Sequence, residues 1–371
     1  MKRKIITVSV ISELTTDQRV IRISSTLQEM GFDVKVIARQ FSDSLPLDTY
    51  IFKAKRIRCF FRKGFMQFAE FNTKLFFHLL FCKTDYLLAN DLDSLVPNYM
   101  VSKLRGKKIF YDTHEYYTGV PELKNSVVKK GVWKFFENWI FPKLKIVYTV
   151  NESIKRLYTE EYGNKISVIR NVPVSIKVEP IPTPENWKGK IVLLMQGVGV
   201  HPGRGGLQLL EMMKFLPESY YLVYIGGGGE WDTILNKRKE WGLENKVEMI
   251  NKMPPLQLKQ YTQLAHLGFS LDGAENINYL YNLPNKIFDY MHAGVPIMAT
   301  PIPEVKAIIE EYQCGICFKS QDTEEMASRV KELMDCTECY QRIRENAVFA
   351  SKELCWEKEK IKLVAIYQPF V

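Results

Sequence analysis

The chain has 371 residues and a formal net charge of +9, with 46% hydrophobic and 25% charged residues. These values are ordinary for a globular protein and allow two domains with a large core. No apolar run approaches the roughly 18 residues that a membrane-spanning helix needs, so we expect no transmembrane segment.

The N-terminus is basic and is followed by an apolar run at residues 5–11. The run is short, contains Thr7 and Ser9, and precedes acidic residues with no small-residue cleavage site, unlike a signal peptide. We therefore expect a first buried strand and a cytoplasmic protein.

Strand-like and helix-like patterns alternate through the first half of the chain, which predicts parallel βαβ units. The predicted strands are 4–11, 33–38, 86–89, 108–111, 145–150 and 165–169. The predicted helices are 94–104, 125–141, 152–161 and one that begins at Thr15 or Thr16 with capping-box spacing and ends at Gly31. The first turn has no G-x-G-x-x-G, and strand two ends in Arg39 and Gln40, which argues against a nicotinamide enzyme.

A segment at residues 51–83 is both basic and aromatic. It contains eight Lys or Arg, one acid (Glu70) and nine Phe. On a helix this mixture suits an anionic membrane surface, and Arg56, Arg58, Arg62 and Lys63 are the candidate contacts on this membrane or acceptor side. The alternative is a solvated face with its aromatic residues in the core. No nucleic-acid-binding motif accompanies the charge, so nucleic acid is not expected as a partner.

Prolines at positions 173, 180, 182 and 184 and the lack of periodicity indicate a linker. We expect an N-terminal domain at 1–175, a linker at 176–189, a C-terminal domain at 190–352 and a terminal segment at 353–371. The alternation restarts after the linker. Its predicted strands are 191–196, 221–225, 267–271 and 315–318, and its predicted helices are 206–215, 303–311, 322–334, 341–352 and 356–367. The fold class is therefore α/β, with two Rossmann-like domains facing across a cleft.

Seven cysteines are expected to be reduced in an intracellular chain. Cys314 and Cys317, with Cys336 and Cys339, form two CxxC pairs at a spacing found in zinc ribbons. The intervening segment has a helical pattern and the flanks lack glycine-rich knuckles. We therefore interpret these residues as thiols of the core or surface and expect no metal site.

A glycine-rich loop at residues 196–206 joins a strand to a helix. Glycines allow the backbone to approach an anion, and Arg204 adds a forked cation, so a pyrophosphate would fit. The alternative is a flexible turn. The glycines at 226–229, followed by Glu230, form a second turn at the same predicted sheet edge.

The segment 282–300 predicts a short helix wedged against a strand, with Asn282 as its cap, Pro284 in its first turn and Gly294 at its end. Its apolar positions point to the core, yet Lys286, Asp289 and His292 recur at three-residue spacing as a polar stripe. Asn285 lies on the same side as Asp289, four residues before it. A carboxylate such as Asp289 can accept hydrogen bonds from both hydroxyls of a ribose. The alternative is a local ion pair with Lys286.

His114 follows a predicted strand in the sequence Asp112-Thr-His-Glu115, where ligands bind in open α/β sheets. A histidine there can donate a hydrogen bond to a sugar hydroxyl or a phosphate. The alternative is a histidine satisfied within the core.

With these residues in place, the chain resembles the retaining, nucleotide-sugar-dependent glycosyltransferases of family four, which have the two-Rossmann (GT-B) architecture. The resemblance rests on Gln196-Gly followed by Gly203-Arg-Gly205, on 226–230, and on 283–296. First-domain landmarks are Asp112-Thr-His-Glu115 and Val150-Asn-Glu-Ser153. Trp356 and Glu357 resemble the start of the terminal helix that crosses back to the first domain.

The resemblance implies roles for individual residues. The acid at Asp289 holds the nucleotide ribose, the base at Arg204 the pyrophosphate, and His114 contacts the donor sugar. His114 and Arg204 are thus the candidate catalytic residues. The candidate donor-binding residues are Gly197, Gly203, Arg204, Gly205, Gly227, Gly228, Glu230, Asn285, Lys286 and Asp289.

The chain departs from the family pattern in the first loop, at residues 12–17, which lacks the usual glycine pair, and at two further positions. Val198 stands where the family usually has arginine, and Tyr281 stands where it has the first acid of the E-x7-E motif. These departures affect contacts to the donor sugar more than contacts to the nucleotide.

The implied reaction transfers a sugar from a UDP- or GDP-sugar to an acceptor hydroxyl with retention, without a bound metal or cofactor. The implied partners are the nucleotide-sugar donor and a glycan or lipid-linked glycan acceptor, as in capsule or lipopolysaccharide synthesis. An anionic membrane surface is a further partner, and it would put the protein on the inner face of the membrane. Two alternatives are a UDP-sugar 2-epimerase and a nucleotide-sugar-binding subunit without activity.

Overall fold

The computed structural model describes residues 3–42, 44–47, 50–120, 126–197, 200–318 and 320–371. The chain divides into two compact units. The first unit comprises Met1–Asn171 and Lys358–Val371, and the second unit comprises Val172–Glu357.

The first unit is built around a seven-stranded parallel sheet of order β3-β2-β1-β4-β5-β6-β7. Its strands are β1 Ile5–Ser9, β2 Asp33–Gln40, β3 Lys53–Arg58, β4 Tyr86–Asn90, β5 Lys108–Thr113, β6 Val147–Thr149 and β7 Ile166–Val168. Its helices are α1 Gln18–Glu29, α2 Gly64–Phe81, α3 Leu92–Leu104, α4 Val127–Ile140, α5 Glu152–Tyr162 and the terminal α14 Trp356–Tyr367.

The second unit has a six-stranded parallel sheet of order β10-β9-β8-β11-β12-β13. Its strands are β8 Ile191–Gly197, β9 Tyr220–Gly226, β10 Val247–Asn251, β11 Leu267–Ser270, β12 Ile297–Ala299 and β13 Gly315–Cys317. Its helices are α6 Gly206–Met212, α7 Trp231–Glu240, α8 Pro255–Thr262, α9 Ile277–Leu280, α10 Asn285–His292, α11 Pro303–Tyr312, α12 Thr323–Asp335 and α13 Thr337–Glu353.

Both units confirm the predicted α/β class with two Rossmann-like domains, because every strand pairing is parallel. The central strands β8, β9, β11 and β12 of the second unit are buried on both faces, as parallel sheets between helices require. Apolar residues from β8, β9, α6 and α12 form one continuous core there.

Two predicted details near the start of the chain are wrong. The first helix begins at Gln18, and Asp17 caps it by accepting a hydrogen bond from the Val20 N–H. Thr15 instead donates to the Glu13 carboxylate. The capping-box spacing is therefore present without the capping box, because Asp17 is the stronger cap.

The basic-aromatic segment at 51–83 is not one helix, because Lys53–Arg58 forms edge strand β3 and α2 begins only at Gly64. In α2, Phe71, Leu75 and Leu79 are buried in the core. Other aromatic residues of the segment stay exposed, with Phe60 at 84% and Phe81 at 79%. No helix in the described ranges is long and apolar enough to cross a membrane.

The two CxxC pairs do not come together as one four-cysteine group. Cys336 and Cys339 are bonded to each other at the start of α13. Cys314 is buried just before β13, whose last residue is Cys317. Among the described residues, no three His, Cys, Asp or Glu side chains are grouped so that they could hold a metal ion.

Candidate functional site

In the second unit, Arg204 lies in the loop between β8 and α6. Gly205 ends this loop with a φ of +74°, and a Cβ there would lie 2.2 Å from the Leu271 Cβ. The chain can make this turn only with glycine. The turn places Arg204 Nη1 3.3 Å from Asp272 Oδ1. The guanidinium also lies over the Tyr279 ring, 4.8 Å from its centroid.

Asp272 is a central residue of this site that sequence reasoning missed. It follows β11 and is 1% exposed. Its carboxylate accepts hydrogen bonds from Ser270 Oγ at 3.1 Å and from Asn282 Nδ2 at 3.4 Å. A charged residue at the carboxyl end of a buried strand is the pattern that could have identified it.

Lys286 lies near both Arg204 and Asp272. Burial lowers the pKa of Lys286, the Asp272 carboxylate opposes this shift, and the Arg204 cation adds to it. Arg204 forms the ion pair with Asp272, and Lys286 is close enough for the charges of both residues to affect its pKa. An additional anion would be stabilised here, because it would supply the charge that Asp272 alone does not.

Asp289, on α10, is 24% exposed and lies 3.4 Å from the Lys259 Nζ of α8. Its other oxygen accepts a hydrogen bond of 3.3 Å from Gln196 Nε2, at the end of β8. The Gln196 Oε1 in turn accepts from the Thr262 hydroxyl at 2.7 Å. Sequence reasoning considered Lys286 as the ion-pair partner of Asp289. It did not identify Lys259 or Gln196 as partners, because they come from distant elements.

The start of α10 differs from the prediction. Pro284 precedes the helix as its N-cap residue, and Asn285 is the first helical residue. Asn282 does not cap this helix, since its side-chain amide donates to Asp272. Gly294 ends the helix with a φ of +65°, as predicted.

Glycine is required in these two loops for different reasons at different positions. Gly226 has a φ of +147°, and a Cβ there would lie 1.9 Å from the Gly197 carbonyl oxygen. A Cβ on Gly228 would lie 2.2 Å from the Val200 carbonyl oxygen. These two glycines allow the loops to pack against each other. A Cβ on Gly227 would meet open space, so Gly227 is where an outside molecule can approach the backbone.

Glu230 lies at the N-terminus of α6 in space, although it precedes α7 in sequence. Its carboxylate accepts a hydrogen bond from the Leu207 backbone, and burial raises its pKa. The first turn of α6 therefore already has an acidic partner. The positive charge at this sheet edge comes from Arg204 and Lys286. Val198 lies outside the described residues.

Three further residues named from the sequence are also in this unit. Gly203 has a φ of +82° in the Arg204 loop, Asn285 is exposed, and Tyr281 follows α9. The described structure thus brings Arg204 and Lys286 together around Asp272, and it places Asp289 one helical turn after Lys286.

In the first unit, Asp112 at the end of β5 is fully buried and forms a two-pronged ion pair with Arg19 of α1. The distances are 2.9 Å from Nε to Oδ2 and 2.7 Å from Nη2 to Oδ1. Arg19 Nη1 also donates to the Ile169 carbonyl at 2.7 Å. The Arg19 guanidinium outweighs the effect of burial and holds the pKa of Asp112 below its usual value.

His114 lies between two carboxylates. Its Nδ1 is 3.0 Å from Asp91 Oδ2, and its Nε2 is 3.2 Å from Asp112 Oδ2. Asp91 has a φ of +57°, an uncommon conformation for a residue other than glycine. The turn lets its carboxylate also accept from the His114 N–H at 2.7 Å.

The protonation of His114 follows from these contacts. Burial alone would lower the pKa of the imidazole, but the Asp91 and Asp112 carboxylates raise it well above its usual value. The raised pKa favours the protonated imidazole, in which both ring nitrogens can donate to the two acids. A sugar hydroxyl or phosphate would have to replace one of these contacts.

The four cations proposed on the membrane or acceptor side do not form one surface. The Arg56 side chain is 8% exposed, pairs with Glu13 and donates to the Leu45 carbonyl. Arg58, Arg62 and Lys63 are exposed. Of the four proposed cations, these three are available to a partner at the surface.

Comparisons with known proteins agree with this architecture. The family model described as Glycosyltransferase Family 4 matches residues 17–172, and the model described as Glycosyl transferases group 1 matches residues 184–348. No curated protein sequence matches the chain significantly.

Among solved structures, the chain is similar to sucrose-phosphate synthase from Thermosynechococcus elongatus, with a TM-score of 0.80, 14% identity and 99% of each chain covered. It is similar to HepE from Anabaena in complex with UDP, with a TM-score of 0.72, 14% identity and coverage of 99% of this chain and 100% of HepE. It is also similar to WaaG, a glycosyltransferase involved in lipopolysaccharide biosynthesis, with a TM-score of 0.69, 14% identity and coverage of 98% of this chain and 99% of WaaG.

The two family models match consecutive halves of the chain, and each half forms its own parallel sheet. The solved structures extend the likeness of fold over nearly the full length. The chain is a family-four-like glycosyltransferase with the GT-B architecture.

Proposed function

We propose that this glycosyltransferase transfers a sugar from a UDP- or GDP-sugar to an acceptor hydroxyl with retention at the anomeric carbon. The acceptor is a glycan or lipid-linked glycan of a capsule or lipopolysaccharide pathway. The observation that carries the proposal is the ion pair of Arg204 with the buried Asp272 carboxylate, with Lys286 near both and Asp289 one helical turn after Lys286.

Two cations beside one buried carboxylate suit the diphosphate of a nucleotide sugar. During transfer, the bond from the anomeric carbon to the phosphate oxygen breaks, and negative charge builds on the leaving phosphate. Arg204 and Lys286 stabilise that charge where it develops. The anomeric carbon forms its new bond to the acceptor oxygen on the same face, and the hydroxyl proton moves to the leaving phosphate.

Asp289 is proposed to hold the ribose. Its contacts to Lys259 and Gln196, at 3.4 and 3.3 Å, are longer than the roughly 2.7–2.9 Å of a strong charged hydrogen bond. Ribose hydroxyls can therefore add to or replace them at little loss. Gly227, with open space where a side chain would be, is proposed to border the nucleotide.

HepE has been solved with UDP, with UDP and glucose, and with UDP-glucose. These complexes support a uridine nucleotide as the first donor to test. WaaG supports lipopolysaccharide biosynthesis as the first pathway to test.

Asp289→Asn is the direct test. The proposal expects it to weaken UDP or GDP binding about ten- to a hundredfold, the effect of one charged hydrogen bond, while the melting temperature stays nearly unchanged. Titration calorimetry and thermal denaturation measure the two effects. The control is Asp232→Asn, an exposed acid in the first turn of α7, which should change neither quantity. A large stability loss with normal nucleotide affinity would assign Asp289 a structural role.

Incubation with donor sugars separates the alternatives. Release of free UDP or GDP that requires a membrane extract supports transfer. Conversion of the donor to a new nucleotide sugar without acceptor supports the 2-epimerase, and tight binding without either product supports a binding subunit.

A peripheral membrane location is proposed from the exposed Arg58, Arg62 and Lys63 together with the exposed rings of Phe60 and Phe81. Co-sedimentation with vesicles should rise with anionic lipid content and fall when these three cations are neutralised together. Neutralisation of Arg56 alone is the matched control, since the Arg56 side chain is largely buried against Glu13. Vesicle binding that changes neither with the anionic lipid content nor with the substitutions would refute this location.

A further inference from the structure

The first unit contains a cavity of about 420 Å³, which lies within the range of about 300–1,000 Å³ typical of small-molecule pockets. It lies against α2 and α4. Aromatic rings, carboxylates and Lys129 line it. All its lining residues belong to the first unit, whereas Arg204 and Asp289 belong to the second unit.

The first observation is Asp93, in the first turn of α3. Its side chain is only 7% exposed and lines the cavity. Among the residues that the structure describes, Asp93 Oδ1 has no hydrogen-bond partner. Burial, reinforced by the neighbouring Asp91 carboxylate, raises the pKa of Asp93 well above its usual value. A buried carboxyl group with an oxygen that lacks a hydrogen-bond partner does not stabilise the fold.

The second observation is the set of aromatic walls. The Trp133 ring contacts the edges of Phe68 and Tyr117, with centroid distances of 5.4 and 5.2 Å. All three residues line the cavity. Because each ring supports the next, the walls keep their shape without a ligand.

The third observation is the position of the cavity relative to His114. Asp91, whose carboxylate contacts His114 Nδ1, also lines the cavity. A molecule bound in this cavity would therefore lie close to Asp91, the residue whose carboxylate contacts the candidate catalytic histidine.

We propose that this cavity binds a sugar ring of the acceptor, with a ring hydroxyl hydrogen-bonded to Asp93 and the apolar face of the sugar packed against Trp133. The inference rests on the proposed glycosyl transfer and names the acceptor site within it. A hydroxyl group supplies the partner that Asp93 Oδ1 lacks. An alkyl chain would remove the carboxyl group from water and give it no partner.

The test measures binding of methyl glycosides of common hexoses and N-acetylhexosamines to the full chain without nucleotide. Tryptophan fluorescence is a suitable readout because Trp133 lines the cavity. At least one methyl glycoside should bind, and Asp93→Ala should weaken its binding about tenfold, as the loss of one buried hydrogen bond would. The melting temperature of this variant should stay equal or rise, because a buried group without a partner is removed.

A second variant and a control separate the site from folding effects. Val132→Phe narrows the cavity from α4 without changing Asp93 and should also weaken glycoside binding. Asp33→Asn makes a similar change at an exposed ion pair with Lys53 in the same unit and should leave binding unchanged.

Three outcomes overturn the proposal. The first is that no methyl glycoside binds. The second is that the wild type, Asp93→Ala and Val132→Phe bind a methyl glycoside with equal affinity. The third is that octyl glycosides bind with an affinity that depends on the octyl chain and not on the sugar. UDP and GDP binding are measured on the same samples. If the wild type binds neither UDP nor GDP, the proposed function is contradicted. If it binds the nucleotide but no glycoside, only this inference is contradicted.

Discussion

The carboxylates of the two units are held in different ways. Asp112 of the first unit is fully buried and receives two short hydrogen bonds from Arg19, at 2.7 and 2.9 Å. Asp289 of the second unit is 24% exposed, and its contacts to Lys259 and Gln196 measure 3.4 and 3.3 Å. The first arrangement belongs to the fold, since a ligand could only disrupt it. The second can exchange a partner for a ligand at small loss.

The largest expected effect tests the buried pair. Arg19→Met should lower the free energy of unfolding by about 3–5 kcal/mol, because it leaves the buried Asp112 carboxylate without its two-pronged partner and with only the His114 ring beside it. Chemical denaturation measures the loss. The double variant with Asp112→Leu should recover much of it, since the carboxylate that lost its partner is removed as well. A loss below about 1 kcal/mol would mean that the pair behaves like a surface ion pair.

The next effect compares two neighbouring glycines. Gly226→Ala should destabilise the protein by about 1–3 kcal/mol, because its Cβ meets the Gly197 carbonyl and its φ is unfavourable for alanine. Gly227→Ala should leave stability nearly unchanged, since its Cβ meets open space. If the nucleotide borders Gly227, only nucleotide affinity falls in that variant. Equal stability of the two variants would contradict the close loop packing.

The third prediction concerns pH. The carboxylates of Asp91 and Asp112 raise the folded pKa of His114 above its unfolded value, so its charge stabilises the fold fully below about pH 6.5. This stabilisation is lost as the pH rises through the raised pKa. The melting-temperature difference between wild type and His114→Gln should therefore be largest near neutral or mildly acidic pH and shrink in alkaline solution.

His78 gives the opposite trend and serves as the control. Burial and then the Lys55 and Lys35 cations lower the pKa of His78, so the wild type loses stability relative to His78→Gln as the pH falls. A His114 difference that is constant with pH would show that folding does not change the pKa of this histidine.

The smallest effect belongs to the half-buried pair of Lys259 and Asp289. Lys259→Met should change the free energy of unfolding by less than about 1 kcal/mol, because the pair with Asp289 is long and partly solvated. A loss as large as that of Arg19→Met would remove the contrast between the two carboxylates. Thermal denaturation of both variants under one condition decides this.

The sequence predicted the order of strands and helices because hydrophobic periodicity is a local property. The terminal helix is an example, since both its ends, Trp356 and Tyr367, match the structure. Strand β3 was missed because it lies at the edge of the sheet, and its alternating Lys and Arg side chains are largely exposed. A charged edge strand has little of the apolar pattern that identifies central strands.

The site was predicted less completely than the fold. Arg204, Lys286 and Asp289 could be proposed from turn chemistry and helix spacing. Their partners Asp272 and Lys259 come from β11 and α8, and only the tertiary structure brings them close. Similarly, Asp112 was visible near His114 in the sequence. The other acid that contacts His114, Asp91, comes from a distant turn with an unusual backbone conformation.

The path of the chain has a consequence for its synthesis. Tyr367 is fully buried in the first unit, stacks on Phe110 at 4.3 Å and shares a hydrogen bond of 3.2 Å with the Tyr148 hydroxyl. The second unit, in contrast, is one continuous stretch inserted before this helix. On the ribosome, the second unit can therefore complete its core first. The first unit, although it emerges earlier, must wait for α14 before its own core is closed.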